Sequence, residues 1–401
     1  MTVDVIIIGG GPSGCAAALG LNRLGYKVVL CDQAKFPRDK VCGEFISPAA
    51  DPILKRLGVL NRIEALSPKR LKGVAISSYE GEEILIDYPQ LPGMDARPTS
   101  LSVPRYELDA IFVEQVKQVG IEVREQHKVT DFLFAEGRVT GVRGWDENKT
   151  SFTLKAPLVI DAGGRNALSL KKMDLKKESA ENTKIAMAAH WQGAKIADDY
   201  CYMHISCPGY TGISSVGKDR SNLVLVVNRQ AMQGKKPDTF YLDAVMQNCH
   251  RRKILQDAEC IESVRAIESL AFSVKPVTCG GLLLVGDAMG FIDPFTGEGI
   301  YLSLRSSEIA VDVADKAFKK TDWSNEVLKD YEIRRKQEFD KKFLLSRIFQ
   351  KLIYSRFFCD RVVRALQSKP ELAEILVGVI GDLSPAQTAV SLKFLLRLMS
   401  A

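Results

Sequence analysis

An α/β fold is predicted for this 401-residue chain by three features of its sequence. The apolar run Val5 to Ile8 breaks directly into a glycine cluster followed by an Ala- and Leu-rich segment, and a second apolar run, Leu282 to Val285, meets another glycine-rich segment. Between them, strand-like stretches punctuated by turn residues predominate, and the last eighty residues read as helices broken by Pro and Gly. The expected architecture is a discontinuous Rossmann-type domain (1–70, 100–175 and 275–320), an antiparallel β-sheet substrate domain (71–99 and 176–274) and a C-terminal helical region (321–401).

Composition bounds the class. With 46% hydrophobic and 26% charged residues the chain reads as an ordinary globular protein, which excludes disorder and coiled coil. The formal charge of +6 is localised: residues 341–401 hold ten basic and four acidic side chains, and the first 340 residues are balanced. A nucleic-acid binder would need a basic stripe on its main folded face, so no nucleic-acid partner is expected. The nine cysteines include no C-x-x-C pair, so neither a disulfide framework nor a metal site is signalled. No stretch is long and apolar enough for a membrane span, and the expected location is cytoplasmic or peripheral to a membrane.

The first element is a buried parallel strand, Asp4 to Ile8, running straight into Gly9-Gly10-Gly11-Pro12-Ser13-Gly14. A helix from Ser13 to Leu24 and a second strand, Lys27 to Cys31, complete the unit. Gly9, Gly11 and Gly14 fit G-x-G-x-x-G: one glycine permits the tight turn, one lets a pyrophosphate approach the backbone, and one lets helix and strand pack closely. The helix N-terminus offers free N–H groups to the phosphates. Asp32, closing the second strand, is placed to accept hydrogen bonds from ribose hydroxyls, and an acid there disfavours a 2′-phosphate. The ligand expected is therefore NAD or FAD.

Residues 282–311 choose between them. A strand over 282–285 ends at Gly286-Asp287-Ala288, and Asp293-Pro294-Phe295-Thr296-Gly297-Glu298-Gly299 leads into a helix from Ile300. This G-D-A-x-G-F-x-D-P-x-T-G-E-G-I segment resembles the flavin-contacting segment of the geranylgeranyl reductase family, within the aromatic-hydroxylase-type FAD superfamily. The resemblance implies FAD, with Asp287 on the ribityl chain and the helix after Gly297 and Gly299 aimed at the flavin pyrimidine. A helix N-terminus there would stabilise the negative charge of a reduced flavin. Phe36-Pro37-Arg38-Asp39-Lys40-Val41-Cys42-Gly43-Glu44 resembles the F-P-R-x-K-x-C-G-E segment of the reductase branch, whose cysteine lies close to the isoalloxazine. Arg105, in Val103-Pro104-Arg105-Tyr106-Glu107-Leu108-Asp109, resembles the arginine of an R-x-x-L-D helix start that contacts FAD.

Three departures shape the expectation. Gly163 stands where the A-D-G-R-x-S element of the hydroxylases has its Asp, which argues against their nicotinamide site. Trp145, Trp191 and Trp323 are far apart, so the W-x-W-x-I-P element of flavin halogenases is absent and halogenation is not expected. Where many reductases carry Y-x-W-x-F-P, this chain reads Gly209-Tyr210-Thr211-Gly212-Ile213-Ser214, which implies substrate contact at Tyr210 and a wider pocket at Gly212.

Cys42 reads either as a proton donor beside the flavin, if its environment tunes the thiol, or as a small residue filling a tight turn. Glu44 reads as a catalytic acid or as a carboxylate satisfying local N–H groups. Asp293 reads as ordering the loop before the helix. The four histidines, 127, 190, 204 and 250, show no ligand spacing and read as surface or core residues; His204, in the expected substrate sheet, is the candidate for substrate contact. The apolar stripe Phe343, Leu344, Leu345, Ile348, Phe349, Leu352, Ile353, Phe357 and Phe358, interleaved with Arg347, Lys351, Arg356 and Arg361, reads as a helix packed on its own domain or as a basic amphipathic helix on an anionic membrane.

The functional expectation is an FAD-dependent oxidoreductase reducing carbon–carbon double bonds of a hydrophobic isoprenoid- or polyketide-type molecule, with a proton from Cys42 or water. The rivals are an FAD-dependent monooxygenase acting on an aromatic or polyketide substrate, and a flavin-binding electron carrier. With one dinucleotide fingerprint, electrons are expected from NAD(P)H entering the flavin pocket or from a reduced partner protein.

Overall fold

The computed structural model describes residues 3–178, 184–197, 199–268, 270–291 and 294–399. The chain begins with β1 (Val5–Ile8), α1 (Pro12–Arg23) and β2 (Val28–Cys31), then forms the pair β3 (Gly73–Ser77) and β4 (Glu83–Asp87). Helix α2 (Arg105–Gln118) leads into β5 (Glu122–Arg124), and β6 (Leu158–Asp161) follows a three-stranded antiparallel meander over 128–155. The strands β7 (Lys184–Gln192), β8 (Tyr200–Ser206), β9 (Gly209–Gly217) and β10 (Arg220–Asn228) precede two short helices, α3 (Pro237–Val245) and α4 (Cys249–Leu255). After β11 (Leu282–Leu284) the chain is helical: α5 (Gly299–Lys320), α6 (Asn325–Ile353), α7 (Arg356–Ser368), α8 (Pro370–Ile380) and α9 (Leu392–Met399).

The strands β11, β6, β1, β2 and β5 form a parallel sheet in that order. All four residues of β1 are buried, as a strand covered on both faces requires. Helices α1 and α5 pack on one another across this sheet: a Cβ on Gly20 would stand 2.8 Å from Val311 Cγ2, and the Ser307 hydroxyl donates to Ser13 O at 2.8 Å. A Rossmann-type domain is thus observed where the glycine turn predicts it.

The second sheet has eight strands, in which β7, β10, β9 and β8 are antiparallel neighbours and β8 pairs in parallel with β3. It is therefore mixed rather than purely antiparallel. Residue Gly73 pairs with Tyr200, joining the two inserted stretches into one sheet. The sequence reading of 176–274 as β-rich omitted α3 and α4, which cover the sheet's outer face through Phe240, Tyr241 and Leu255. Its inner face packs on α6 to α8, with Tyr210, Val224 and Val226 against Leu345, Phe349 and Ile353. Among the described residues no helix is long and apolar enough to cross a membrane.

The stripe 343–358 is thereby divided. Leu345, Phe349 and Ile353 face inward, and among the described residues the large apolar side chains left exposed in the C-terminal region are Ile333, Leu344, Phe357, Phe358, Leu392 and Leu396. Lys342, also inward, pairs with Asp382 and lies 3.7 Å from Glu298, and Asp382 accepts from Ser47 Oγ at 2.6 Å. This buried charge cluster ties the helical region to the segment that opens α5.

Candidate functional site

The glycine turn divides its labour residue by residue. Gly9 has φ +103°, and a Cβ there would meet Ala162 O at 2.5 Å. A Cβ on Gly14 would lie 1.8 Å from Gly9 O, so this position is closed by the turn itself. At Gly11 the same construction meets only the Arg38 guanidinium at 3.8 Å. Gly11 caps α1 without any side-chain acceptor, and Pro12 follows at the first helical position, leaving the first-turn N–H groups free for an anion. Asp32 Oδ2 accepts from Gly10 N at 2.6 Å and Oδ1 from Ala34 N at 2.7 Å, and each oxygen keeps a lone pair for a ribose hydroxyl.

A cationic cluster faces this turn. Asp109 is fully buried and holds two arginines: Arg105 through Nε–Oδ1 and Nη2–Oδ2, both 2.8 Å, and Arg38 through Nη1–Oδ2 at 3.0 Å. Burial by itself would loosen the proton on Arg105, but Asp109 and the Cys42 sulfur beside it outweigh that and hold the guanidinium charged. Lys40 is pulled below its ordinary range by burial and by neighbouring Arg105, with Asp287 opposing. Gly286 has φ +63° with Ser13 Oγ 2.6 Å from a would-be Cβ, so the turn before Asp287 admits only glycine. Gly297 is closed in the same way by Phe45, at 2.8 Å, and Gly299 opens α5 with nothing within 4 Å of its Cβ position.

The turn Cys42-Gly43-Glu44 links the two sheets. Glu44 N donates to Cys42 Sγ at 3.3 Å, and Asn222 Nδ2 on β10 donates to Cys42 O at 2.8 Å. Glu44 is 4% exposed; its Oε1 accepts the Arg105 backbone N–H at 2.9 Å, and its Oε2 lies 2.8 Å from His190 Nε2. Of the two readings of Glu44, the structure displays the satisfied carboxylate, with a histidine added to it. His190 and Asn222 had no signal in spacing; only the two-residue period of β7 and β10, which turns Ala186, Ala188, Val224 and Val226 inward with them, points to their side of the sheet.

That same period corrects one expectation. Tyr210, Gly212 and Ser214 share the inner face: Tyr210 meets Phe295 edge to face at 5.1 Å, and Ser214 Oγ lies 3.0 Å from Ser102 Oγ. His204 faces the other way. It is fully buried on the outer side, stacked on His250 with ring centroids 5.6 Å apart and 3.6 Å from Glu83 Oε2, so it cannot share a site with Tyr210 and Gly212. Asp293 lies outside the described residues.

Beside the opening at Gly11, positions Gly43, Gly212 and Gly299 have no atom of the described residues within 4 Å of an added Cβ. Gly43 adjoins Cys42, whose carbonyl accepts from Asn222 on β10, and Gly212 shares its sheet face with Tyr210, whose ring meets Phe295 ahead of α5, so these segments border the seam between the two sheets. Anion-ready helix starts at one end, two arginines and a lysine along it, and an apolar face at the other suit a dinucleotide carrying a flavin. The fold and this site define an FAD-dependent oxidoreductase.

Residues 2–339 match the model of the FAD binding domain family, and the chain belongs to that family. It is 27% identical over 359 residues to a 1H-pyrrole-2-carbonyl-[peptidyl-carrier protein] chlorinase of Pseudomonas fluorescens, covering 82% of this chain and 79% of that one. It is 26% identical over 392 residues to a digeranylgeranylglycerophospholipid reductase of Methanocaldococcus jannaschii, covering 94% and 92%. Among solved structures, a flavin-dependent brominase triple mutant superposes with TM-score 0.84 at 19% identity, covering 98% and 97% of the two chains. A geranylgeranyl bacteriochlorophyll reductase-like protein from Thermoplasma acidophilum superposes with TM-score 0.77 at 21% identity, covering 100% and 96%. At those identities the structural likeness speaks for the fold alone. Halogenases and reductases both stand among the relatives.

Proposed function

We propose that this enzyme reduces carbon–carbon double bonds of a hydrophobic, isoprenoid- or polyketide-type substrate and belongs to the geranylgeranyl reductase-like branch. The observation that carries the reading is the Cys42-Gly43-Glu44 turn set beside an apolar face opened at Gly212. FAD, when bound, supplies hydride chemistry. The chain's own residues do the rest: Gly11, Arg38 and Arg105 hold phosphate and flavin oxygens, Asp287 orients the ribityl side, Tyr210 and Phe295 line the apolar approach, and the Cys42 thiol or a water gives the proton. The near end-to-end match with the archaeal reductase supports the reading. So does the placement of the tryptophans: Trp191 is buried on the outer face against Tyr241, Trp145 sits on the meander, and Trp323 packs on Phe318. None of the three lies on the inner face where a halogenase-type element would act.

Electrons come from NAD(P)H entering the same seam or from a reduced partner protein. The exposed Phe357, Phe358, Leu392 and Leu396, set among Arg356, Lys351 and Lys393, serve as a peripheral contact with an anionic membrane that holds such a substrate.

The test is anaerobic: the photoreduced holoenzyme is mixed with a polyprenyl alkene or an enone, and flavin reoxidation is followed by the return of the oxidised flavin's visible absorbance. Reoxidation with saturation of the alkene is expected. In a second arm run in air, oxygen consumption that starts only with an aromatic or polyketide compound would establish the monooxygenase, and a halide-dependent product the halogenase. Reoxidation by a redox protein but by no small molecule would leave the electron carrier.

A further inference from the structure

All the polar atoms of Glu44 are engaged at once. Its N–H meets Cys42 Sγ, its carbonyl accepts from Val103 N at 3.1 Å, Oε1 caps α2 through Arg105 N, and Oε2 faces His190. Glu44 also holds a left-handed backbone, φ +56°, which a residue with a Cβ adopts only when its surroundings impose it. The imposing group on the far side is His190, whose Nε2 stands 2.8 Å from Glu44 Oε2 and whose Nδ1 stands 2.9 Å from Glu262 Oε1. Glu262 in turn pairs with Arg265 at 2.7 Å, and Arg265 with Asp39 at 3.3 Å. Glu262 Oε1 also accepts the His190 backbone N–H at 3.0 Å, so it faces Nδ1 as an ion-pair partner, and a ring flanked by two carboxylates that can only accept is best satisfied when it carries the positive charge.

We infer that His190 is a positioning residue for the cofactor: as an imidazolium it clamps Glu44 onto the N-terminus of α2, fixing Cys42 and Arg105 where FAD meets them, so that FAD affinity follows its protonation. The groups facing it come from four elements: Glu44 on the turn, Glu262 on the loop before the strand 265–268, Arg265 at the start of that strand, and Arg220 on β10. Burial and Arg220 oppose the charge, the two carboxylates favour it, and the carboxylates win, raising the histidine above its ordinary value of 6.5. The clamp is complete below that ordinary value and is lost as pH rises through the raised one.

The experiment titrates apoprotein with FAD from about pH 6 to about pH 9, the interval in which a histidine raised above its ordinary value discharges. Wild-type affinity is expected to fall roughly tenfold across it, the scale of an ordinary coupling between sites. In H190Q the amide still donates to Glu44 but carries no charge, and the affinity should be flat with pH. In H190A it should be weaker throughout, with a melting curve confirming that the protein is folded. Nitrogen-15 histidine spectra of the apoprotein, with His190 assigned by its loss in H190Q, should show it titrating above 6.5 and moving down in E262Q. A flat wild-type profile, a wild-type-like profile in H190Q, or a His190 titration at or below 6.5 would overturn the inference. None of these readouts needs a substrate, so they stand apart from the reductase reading.

Discussion

Arg105 and Asp109 sit one turn apart on α2 and meet through two parallel hydrogen bonds of 2.8 Å, both fully removed from water. The same carboxylate also takes Arg38, so one acid sets two of the cations at the cofactor seam. Replacing one partner of a buried pair leaves a charge without compensation, which costs about 3–5 kcal/mol. D109A is therefore expected to lower the melting temperature markedly and to weaken FAD binding, since both guanidiniums lose their anchor. D109N, keeping one acceptor oxygen, should lose less of both. Denaturant titration of apoprotein and FAD titration measure the two effects separately, and an unchanged FAD affinity in D109A would contradict this placement of Arg38 and Arg105.

The glycines at 11 and 14 should respond in opposite ways. G14A forces a Cβ to 1.8 Å from Gly9 O, so the apoprotein itself should be destabilised or fail to fold. G11A meets no obstacle but the movable Arg38, and Gly11 has a negative φ that alanine adopts, so the stability of the apoprotein should change by no more than about 1 kcal/mol. Its methyl group occupies the space a pyrophosphate would need, and FAD affinity should fall sharply. A G11A protein binding FAD normally would place the phosphates elsewhere.

At Gly212 the open space belongs to the substrate under the proposed function. G212A should be close to neutral in stability. G212F should keep the protein folded and loaded with FAD while its turnover of long polyprenyl alkenes falls at least tenfold, and short enones should be spared. The comparison of kcat/KM across chain lengths is the measurement; equal losses for all lengths would point to flavin displacement instead.

His204 gives a pH dependence of opposite sign to that of His190. Burial, first of all, pushes its titration below 6.5, with Arg251 and His250 adding to this and Glu83 opposing. Among the described residues neither ring nitrogen has a hydrogen-bond partner, and 3.6 Å to Glu83 is too long for one. The folded state therefore resists protonation: its stability is complete above 6.5 and declines as pH falls below that value toward the depressed one. H204F, which keeps an aromatic ring against Tyr202 and His250, should flatten this acid limb in urea titrations made at stepped pH. The limb surviving unchanged would assign it to other groups.

Sedimentation with anionic liposomes tests the peripheral contact. Wild-type protein should co-sediment at low salt and dissociate at high salt, and L392E/L396E should not co-sediment while keeping its melting temperature, because both side chains are more than half exposed.

Much of this molecule was legible in its sequence because certain backbone positions tolerate only one residue. The glycines at 9, 14, 286 and 297 mark closed approaches, and each predicts a turn with partners close by. The side of a sheet was harder to read. Tyr210 and Gly212 share the inner face while His204 takes the outer one with Tyr200 and Tyr202, and since both faces of β8 are covered, no polar–apolar alternation says which side meets the flavin domain. His190 was unreadable for a related reason. Its partners, Glu44 and Glu262, lie 146 and 72 residues away, and no local spacing reports such distances. Helices α3 and α4 are nine and seven residues long, too short for a helical period to stand out within a stretch that reads as strands.

The pairing of Gly73 with Tyr200, and the packing of α5 on α1, have a consequence for how the enzyme is made. A chain emerging from the ribosome completes its glycine turn and Asp32 early, yet the second sheet waits for residue 200 and the flavin end of the seam waits for Gly299. No amino-terminal portion short of α5 holds a whole cofactor site, so a nascent chain carries an exposed apolar strand edge at β6 until β11 arrives beside it. Complete flavin capture is consequently a late event in synthesis: a chain interrupted before residue 299 carries the phosphate and ribose side of the seam without the helix start at its flavin end.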